Sequence, residues 1–95
     1  MSSDTPNTPT QESAIEFPCD FPVKAMGLAS ESLHLTVLEI VRKHAPDTAD
    51  AALKTRPSSN GKYVSVTVTV YATSQAQLDA IYTDLSANER ILMAL

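Results

Sequence analysis

The chain has 95 residues, of which 43% are hydrophobic and 19% charged, and its formal net charge is −4. This length and composition predict one small globular domain rather than several. The sequence contains no apolar run long enough for a transmembrane helix and no basic-then-apolar leader pattern, and a chain without an excess of Lys and Arg is not typical of general nucleic-acid binders.

Residues 1–16 differ in composition from the rest. They are rich in Ser, Thr and Pro and contain three acidic residues and no Lys or Arg. We therefore predict a disordered acidic tail over residues 1–16 and a single folded domain over residues 17–95. The remaining eight acidic and seven basic residues leave that domain nearly neutral. The only cysteine, Cys19, cannot form an intramolecular disulfide, which favours a reducing, cytoplasmic location.

The first elements are a strand and a helix. Residues 21–26 read as a strand that begins near Pro22 and is closed by Gly27. Ser30 or Ser32 can cap the helix that follows, and Pro46 ends it. In "LHLTVLEIVRKH" the side chains that recur at the helical period, and so predict the buried stripe, are Leu33, Val37, Ile40, Val41 and His44.

Residues 51–57 and 63–72 predict a β-hairpin. The second segment, "YVSVTVTVYA", alternates valines with tyrosines and hydroxyl side chains, as a half-buried strand does. Asn60-Gly61 predicts a two-residue turn in which both central positions have positive φ. This turn sets the register, which pairs Arg56 with Ser65, Thr55 with Val66, Lys54 with Thr67 and Leu53 with Val68.

The last elements are a helix and a short strand. Ser74 and Gln77 have the spacing of a capping box, and the apolar residues that follow at helical spacing are Leu78, Ile81, Tyr82 and Leu85. Residues 90–95, "RILMAL", predict the final strand. The resulting order predicts an α+β fold, the ferredoxin-like βαββαβ sandwich, with a four-stranded antiparallel sheet of order 4-1-3-2 and two helices on one face.

Four segments together resemble a known family. "FPCDFPVKAMG", "VRKHAP", "SSNGKYVSVTVTVYATS" and "ILMAL", in this order over residues 15–95, resemble the YbeD-like family of small bacterial proteins of unknown function. The resemblance implies a ferredoxin-like, ACT-domain-like fold. It also implies a genomic neighbourhood with lipoate-attachment enzymes, and hence a regulatory role linked to lipoate metabolism. It brings no catalytic residues with it.

Few residues in the chain are typical of catalysis or metal binding. Cys19 is followed by Asp20, and a neighbouring carboxylate favours the unreactive thiol. His34 and His44 are nearly three helical turns apart, too far to share a metal ion. Asp79 and Asp84 read as solvated helix positions. We expect no cofactor, no metal and no enzymatic activity; the alternative is a small enzyme or thiol-dependent protein that uses Cys19 or His44.

The uncovered face of the sheet is the more informative feature. If the valines face the helices, the other side displays hydroxyl side chains with Met26 and five candidate binding residues, which are Lys24, Lys54, Arg56, Tyr63 and Tyr71. Such a face has three possible uses besides being solvated. It can bind a small anionic ligand or the acidic surface of a protein partner, or pair two subunits as a homodimer, or stack RNA bases.

The sequence favours the interaction uses of this face over base stacking. The aromatic-and-glycine signature of RNA-binding modules with this fold is missing from the third strand, so we expect no nucleic-acid partner, and no membrane partner either. The predicted function is therefore a non-enzymatic regulatory or interaction module that binds through the open sheet face or a dimer interface.

Overall fold

The computed structural model describes residues 15–95; residues 1–14, which make up most of the predicted tail, lie outside the described part. The four strands form one antiparallel sheet in the order β2-β3-β1-β4, which confirms the predicted topology. The elements in chain order are β1 (Cys19–Leu28), α1 (Leu33–His44), a single 3₁₀ turn (Asp50–Ala52), β2 (Leu53–Pro57), β3 (Tyr63–Ala72), α2 (Gln75–Ala87) and β4 (Met93–Ala94).

One hydrophobic core lies between the sheet and the two helices. The alternate residues of β3 supply its centre, since Val66, Val68 and Val70 are all 0% exposed. The helices contribute the predicted apolar stripes, including Val37 of α1 and Ile81 of α2, which are also 0% exposed. The period of two in β3 and the helical period in both helices therefore predict most of the buried face, but His44 and Tyr82, which the helical period also placed there, are only partly buried.

Strand β1 is longer than predicted, and Gly27 lies within it instead of closing it. Gly27 is buried and faces the connection between α2 and β4. A Cβ atom at this position would collide with the backbone carbonyl oxygen of Arg90 and press on Leu33. The glycine therefore permits a close approach of two backbone segments, a use that sequence reasoning did not distinguish from a strand end.

The position of β4 explains how β1 contains a proline. The Lys24 N–H donates to the Leu95 carbonyl across the β1–β4 edge at 3.1 Å. Pro22 is two residues earlier, so its ring nitrogen points to the same edge, where the described part of the chain places no strand beyond the Leu95 pair. A missing donor at that position costs no ladder hydrogen bond.

The β2–β3 register is the predicted one, but the turn is different. The ladder pairs Lys54 with Thr67 and Arg56 with Ser65. The Ser58 N–H donates to the Tyr63 carbonyl at 2.8 Å, and the Gly61 N–H donates to the Ser58 carbonyl at 2.9 Å. Four residues, 59–62, thus form the loop in place of the predicted two. Gly61 takes the positive φ, 74°, while the Asn60 side chain accepts from the Lys62 N–H at 2.9 Å.

The remaining element ends differ from prediction in small ways. Residues 51 and 52 belong to the 3₁₀ turn, so β2 begins later than predicted, and β4 is limited to two residues. Ser74 Oγ accepts from the Gln77 N–H at 3.1 Å, as the capping box predicts. The Gln77 Oε1, however, accepts from the Thr73 N–H at 2.8 Å and not from the N–H of Ser74, which a capping box would use. Ser32 stands at the N-cap of α1 without a side-chain cap bond.

Candidate functional site

The open face of the sheet displays its side chains in cross-strand rows. One row contains Lys54, Thr67 and Lys24, from β2, β3 and β1 respectively. The adjacent row contains Arg56 and Ser65, and continues to Met26. Because side chains of directly paired residues project from the same face, the register places the three cations on one surface, as the sequence predicted.

The cations Lys24, Lys54 and Arg56 form what we call the basic cluster. Two strand spacings of about 4.8 Å separate Lys54 from Lys24 at the backbone, so the cluster is about 10 Å wide there. All three residues are exposed. The ion pairs of the described residues involve Arg42, Lys43 and His44 and none of the cluster. The basic cluster therefore presents positive charges that no carboxylate of the described chain neutralises.

The two candidate tyrosines do not lie together. They stand eight residues apart on β3, which corresponds to roughly 26 Å at 3.3 Å per residue. Tyr63 lies beside the basic cluster and lines a shallow depression with Arg56; the Lys62 ammonium is 5.5 Å from the centre of its ring. Tyr71 is 61% exposed at the opposite end of the strand and pairs with Asp20. Only Tyr63 belongs to the surface of the basic cluster.

Tyr71 instead borders a separate groove of about 530 Å³ between the α1–β2 connection and the end of β3. Two carboxylates, Asp20 and Asp47, line this groove and no Lys or Arg does. Arg42 braces the connection, since its Nε donates to the Thr48 carbonyl at 2.9 Å and its guanidinium pairs with Asp50 at 2.7 Å. The groove thus has the opposite charge to the basic cluster.

Sequence reasoning missed an apolar surface beside the basic cluster. Met93 pairs with Met26, and Leu95, the residue after β4, exchanges backbone hydrogen bonds with Lys24, so the Met93 and Leu95 side chains join the open face. Leu28 extends the same surface along β1. Met93 is 49%, Leu95 69% and Leu28 55% exposed. We call Met26, Leu28, Met93 and Leu95 the apolar corner. The alternation of Met93 and Leu95 was the available signal, but the sequence did not set the register of this strand on β1.

A small notch opens within the apolar corner. Its volume is about 100 Å³, and it is lined by Met26, Met93 and Leu95 together with Lys24, Ala25 and Ser65. The Lys24 side chain therefore borders both the notch and the basic cluster.

The residues considered for catalysis, Cys19 and His44, make packing and helix–helix contacts. Cys19 begins β1 opposite Ala72 and packs, half-buried, against the core. His44 Nε2 lies 2.7 Å from an Asp84 carboxylate oxygen, and this contact joins the end of α1 to α2. The expectation that Asp84 is simply solvated was wrong. The His44 hydrogen bond, with a smaller contribution from Lys43 at 3.4 Å, lowers the pKa of the Asp84 carboxyl group.

Over residues 15–95, no three His, Cys, Asp or Glu side chains are grouped so as to hold a metal ion. The helices of the described residues are also too short and too polar to cross a membrane.

Comparisons with known proteins match this chain to a family. The family model described as a protein of unknown function, DUF493, matches residues 12–95. A UPF0250 protein of Nitrosomonas europaea is 46% identical over 86 residues, which are 90% of this chain and 99% of that protein. A UPF0250 protein of Neisseria gonorrhoeae is 48% identical over 83 residues, 87% of this chain and 91% of that protein.

A solved structure supports the fold. The solution structure of protein HP0495 from H. pylori is similar with a TM-score of 0.65 and covers 85% of both chains. Its sequence identity is 15%, so this likeness concerns the architecture alone.

Proposed function

Because this chain belongs to the DUF493 family of bacterial proteins, which confirms its resemblance to the YbeD-like proteins, we propose that it is a cytoplasmic, non-enzymatic interaction module with a regulatory role. In this proposal the open sheet face binds a protein partner or a small anionic ligand through Lys24, Lys54 and Arg56, with Tyr63 at the margin. Tyr71 lies outside this contact. The family description assigns no activity, and a lipoate-attachment enzyme is the first partner to test.

The observation that supports this proposal most directly is the basic cluster. Three exposed cations, one from β1 and two from β2, share one surface of a domain that is nearly neutral as a whole. Solvation of a sheet face does not require that charges of one sign be grouped together, and like charges that share a surface repel each other. Carboxylate or phosphate oxygens remove that repulsion when they bind, and an Arg guanidinium can hold them with two parallel hydrogen bonds.

A paired substitution tests the proposal. The Lys54→Ser/Arg56→Ser variant removes two cations from strand β2, where both side chains are exposed, so the fold should be unaffected. We expect affinity for the partner to fall at least tenfold, since charge pairs across an interface contribute more than about 1.4 kcal/mol when they are close. The measurement is affinity purification with mass spectrometry from the native cell, followed by titration of purified lipoate-attachment enzyme.

The matched control is Lys43→Ser, which removes an exposed cation whose contact is with Asp84, away from the open face. It should leave partner capture unchanged. Equal capture by the wild type and the double variant, with equal melting temperatures, would contradict the proposal.

A further inference from the structure

The apolar corner and the basic cluster are adjacent parts of one surface. Lys24 and Leu95 pair directly, and so do Met26 and Met93. Reading across the sheet from β2 to β4, each row therefore begins with a cation and ends with an apolar side chain. A ligand long enough to span the rows from β2 to β4 covers the cations and also lies against the apolar corner, because Thr67 and Ser65 of β3, between them, belong to the same open face.

The size of the notch decides what kind of group can enter it. Sites for drug-sized molecules usually enclose about 300–1,000 Å³. The notch has about 100 Å³, lined by apolar atoms, which suits one aliphatic side chain and not a free metabolite. Anchoring of one apolar side chain in such a depression is typical of protein and peptide recognition.

The wall of the notch is held in place before any ligand binds. The Leu95 N–H donates to the Lys24 carbonyl at 2.7 Å, and the Leu92 N–H donates to the Met26 carbonyl at 2.8 Å. The Tyr82 hydroxyl of α2 also donates to the Leu95 carbonyl. A backbone fixed in this way loses little conformational entropy on binding, which favours its use as a binding surface.

The charges of the open face favour an acidic partner over a second copy of this chain. If two copies packed by their open faces, each would bring the three cations of the basic cluster, and Asp20 is the acidic residue that the described strands place on that face. Cations would outnumber carboxylates by three to one on each side. A second copy is therefore a poor match, whereas an acidic segment of another protein is complementary.

We propose that the open face binds an acidic peptide segment of a partner protein, with one aliphatic side chain in the notch and carboxylates on the basic cluster. This inference rests on the proposed function and adds the chemistry of the partner. Lys24 borders the notch, so it receives a carboxylate next to the aliphatic residue. Lys54 and Arg56 lie two to three strand spacings, about 10–14 Å, from Met26 and Met93, which an extended segment spans in three or four residues.

The first test uses synthetic peptides as the probe. Labelled twelve-residue peptides carry one Leu, one Asp beside it and a second Asp three or four residues away, and binding is measured by fluorescence anisotropy. Matched peptides replace Leu by Ser, or both Asp by Asn, or move the second Asp to eight residues away. We expect the complete peptide to bind at least tenfold more tightly than the Ser and Asn peptides, and the displaced Asp to weaken binding severalfold.

The second test changes the protein. Leu95→Ser and Met93→Ser remove exposed side chains and leave the backbone hydrogen bonds of β4 in place. Each substitution should lower the affinity for the Leu peptide to that for the Ser peptide. The affinity for the Ser peptide should not change. Leu35→Ser is the matched control, because Leu35 is 57% exposed on α1, away from the notch.

The outcomes separate the two proposals. If acidic peptides bind equally with Leu or Ser, and Lys54→Ser/Arg56→Ser abolishes that binding, the proposed function survives and the aliphatic anchor is wrong. If the Asp and Asn peptides bind equally, the acidic-peptide inference is wrong, and partner capture by the Lys54→Ser/Arg56→Ser variant decides the proposed function separately. If sedimentation shows a dimer that Leu95→Ser dissociates, the occupant is a second copy and this inference is wrong.

Discussion

The two faces of the sheet use the same strands in opposite ways. In β3, Val66 and Val68 are fully buried under the helices, while the intervening Ser65 and Thr67 lie on the open face. The burial of one Val side chain contributes about 1.5–3 kcal/mol, whereas a substitution of an exposed side chain usually changes stability by less than about 0.5 kcal/mol. The covered face therefore sets the stability of the fold, and the open face is free to carry binding residues.

The largest effect that would test this contrast is a cavity under the helices. Ile81 of α2 is 0% exposed within the core. We expect Ile81→Ala to lower the free energy of unfolding by about 2–5 kcal/mol, because it removes buried methyl groups and leaves a cavity. Urea denaturation followed by circular dichroism measures the change.

The control for this cavity is Thr69→Ala on the open face, where Thr69 is exposed. It should change the free energy of unfolding by less than about 0.5 kcal/mol. Comparable losses in the two variants would show that the open face is also packed, and the contrast between the faces would fail.

The next effect concerns the close approach at Gly27. An added Cβ has to displace the Arg90 carbonyl, which belongs to backbone and cannot rotate away as a flexible side chain does. We expect Gly27→Ala to cost about 1–3 kcal/mol through overpacking, measured by the same denaturation.

Gly61→Asn is the comparison for Gly27→Ala. At Gly61 an added Cβ meets nothing within 4 Å, and Asn tolerates the φ of 74° better than other residues with a side chain. A larger loss for Gly61→Asn than for Gly27→Ala would mean that turn conformation, and not the approach at Gly27, is the tighter constraint.

The sequence predicts a feature where a local pattern and a short connection both constrain it. The bounds of β3 agree residue for residue with the alternation, and the β2–β3 register follows from the hairpin even though its turn has four loop residues. Lys54 and Arg56 are placed correctly for this reason. An error in the predicted turn therefore does not change the predicted register, because the strand pairing on either side of the turn stays the same.

Features that depend on distant segments were harder to predict. Strand β4 has two residues and meets β1 from the other end of the chain, so no turn or short connection sets its register. The apolar corner was missed for that reason. Likewise, Asp84 lies 40 positions from its partner His44, and nothing in either local pattern indicates the contact.

The contact of Asp84 with His44 gives the smallest of the expected effects, because it lies at the margin of the covered face and is partly solvated. The fold lowers the pKa of the Asp84 carboxyl group, so the carboxylate stabilises the folded state at pH values above its unfolded pKa of about 3.9. That contribution is lost as the pH falls through the lower, folded pKa. A protonated Asp and an Asn are both neutral. The melting temperatures of wild type and Asp84→Asn should therefore differ at pH 7 and converge in acid.

Thermal unfolding of both proteins, followed from pH 7 down to the lowest pH at which they still fold, measures this convergence, with Asp79→Asn as the control. Asp79 is on the same helix, and its carboxylate accepts a hydrogen bond from the side-chain amide of Gln75 one turn earlier. The melting temperature of the control should follow the wild type at every pH. If the Asp84→Asn deficit persists unchanged at the acidic end, the loss comes from packing, and the His44–Asp84 contact contributes no pH-dependent stability to the covered face.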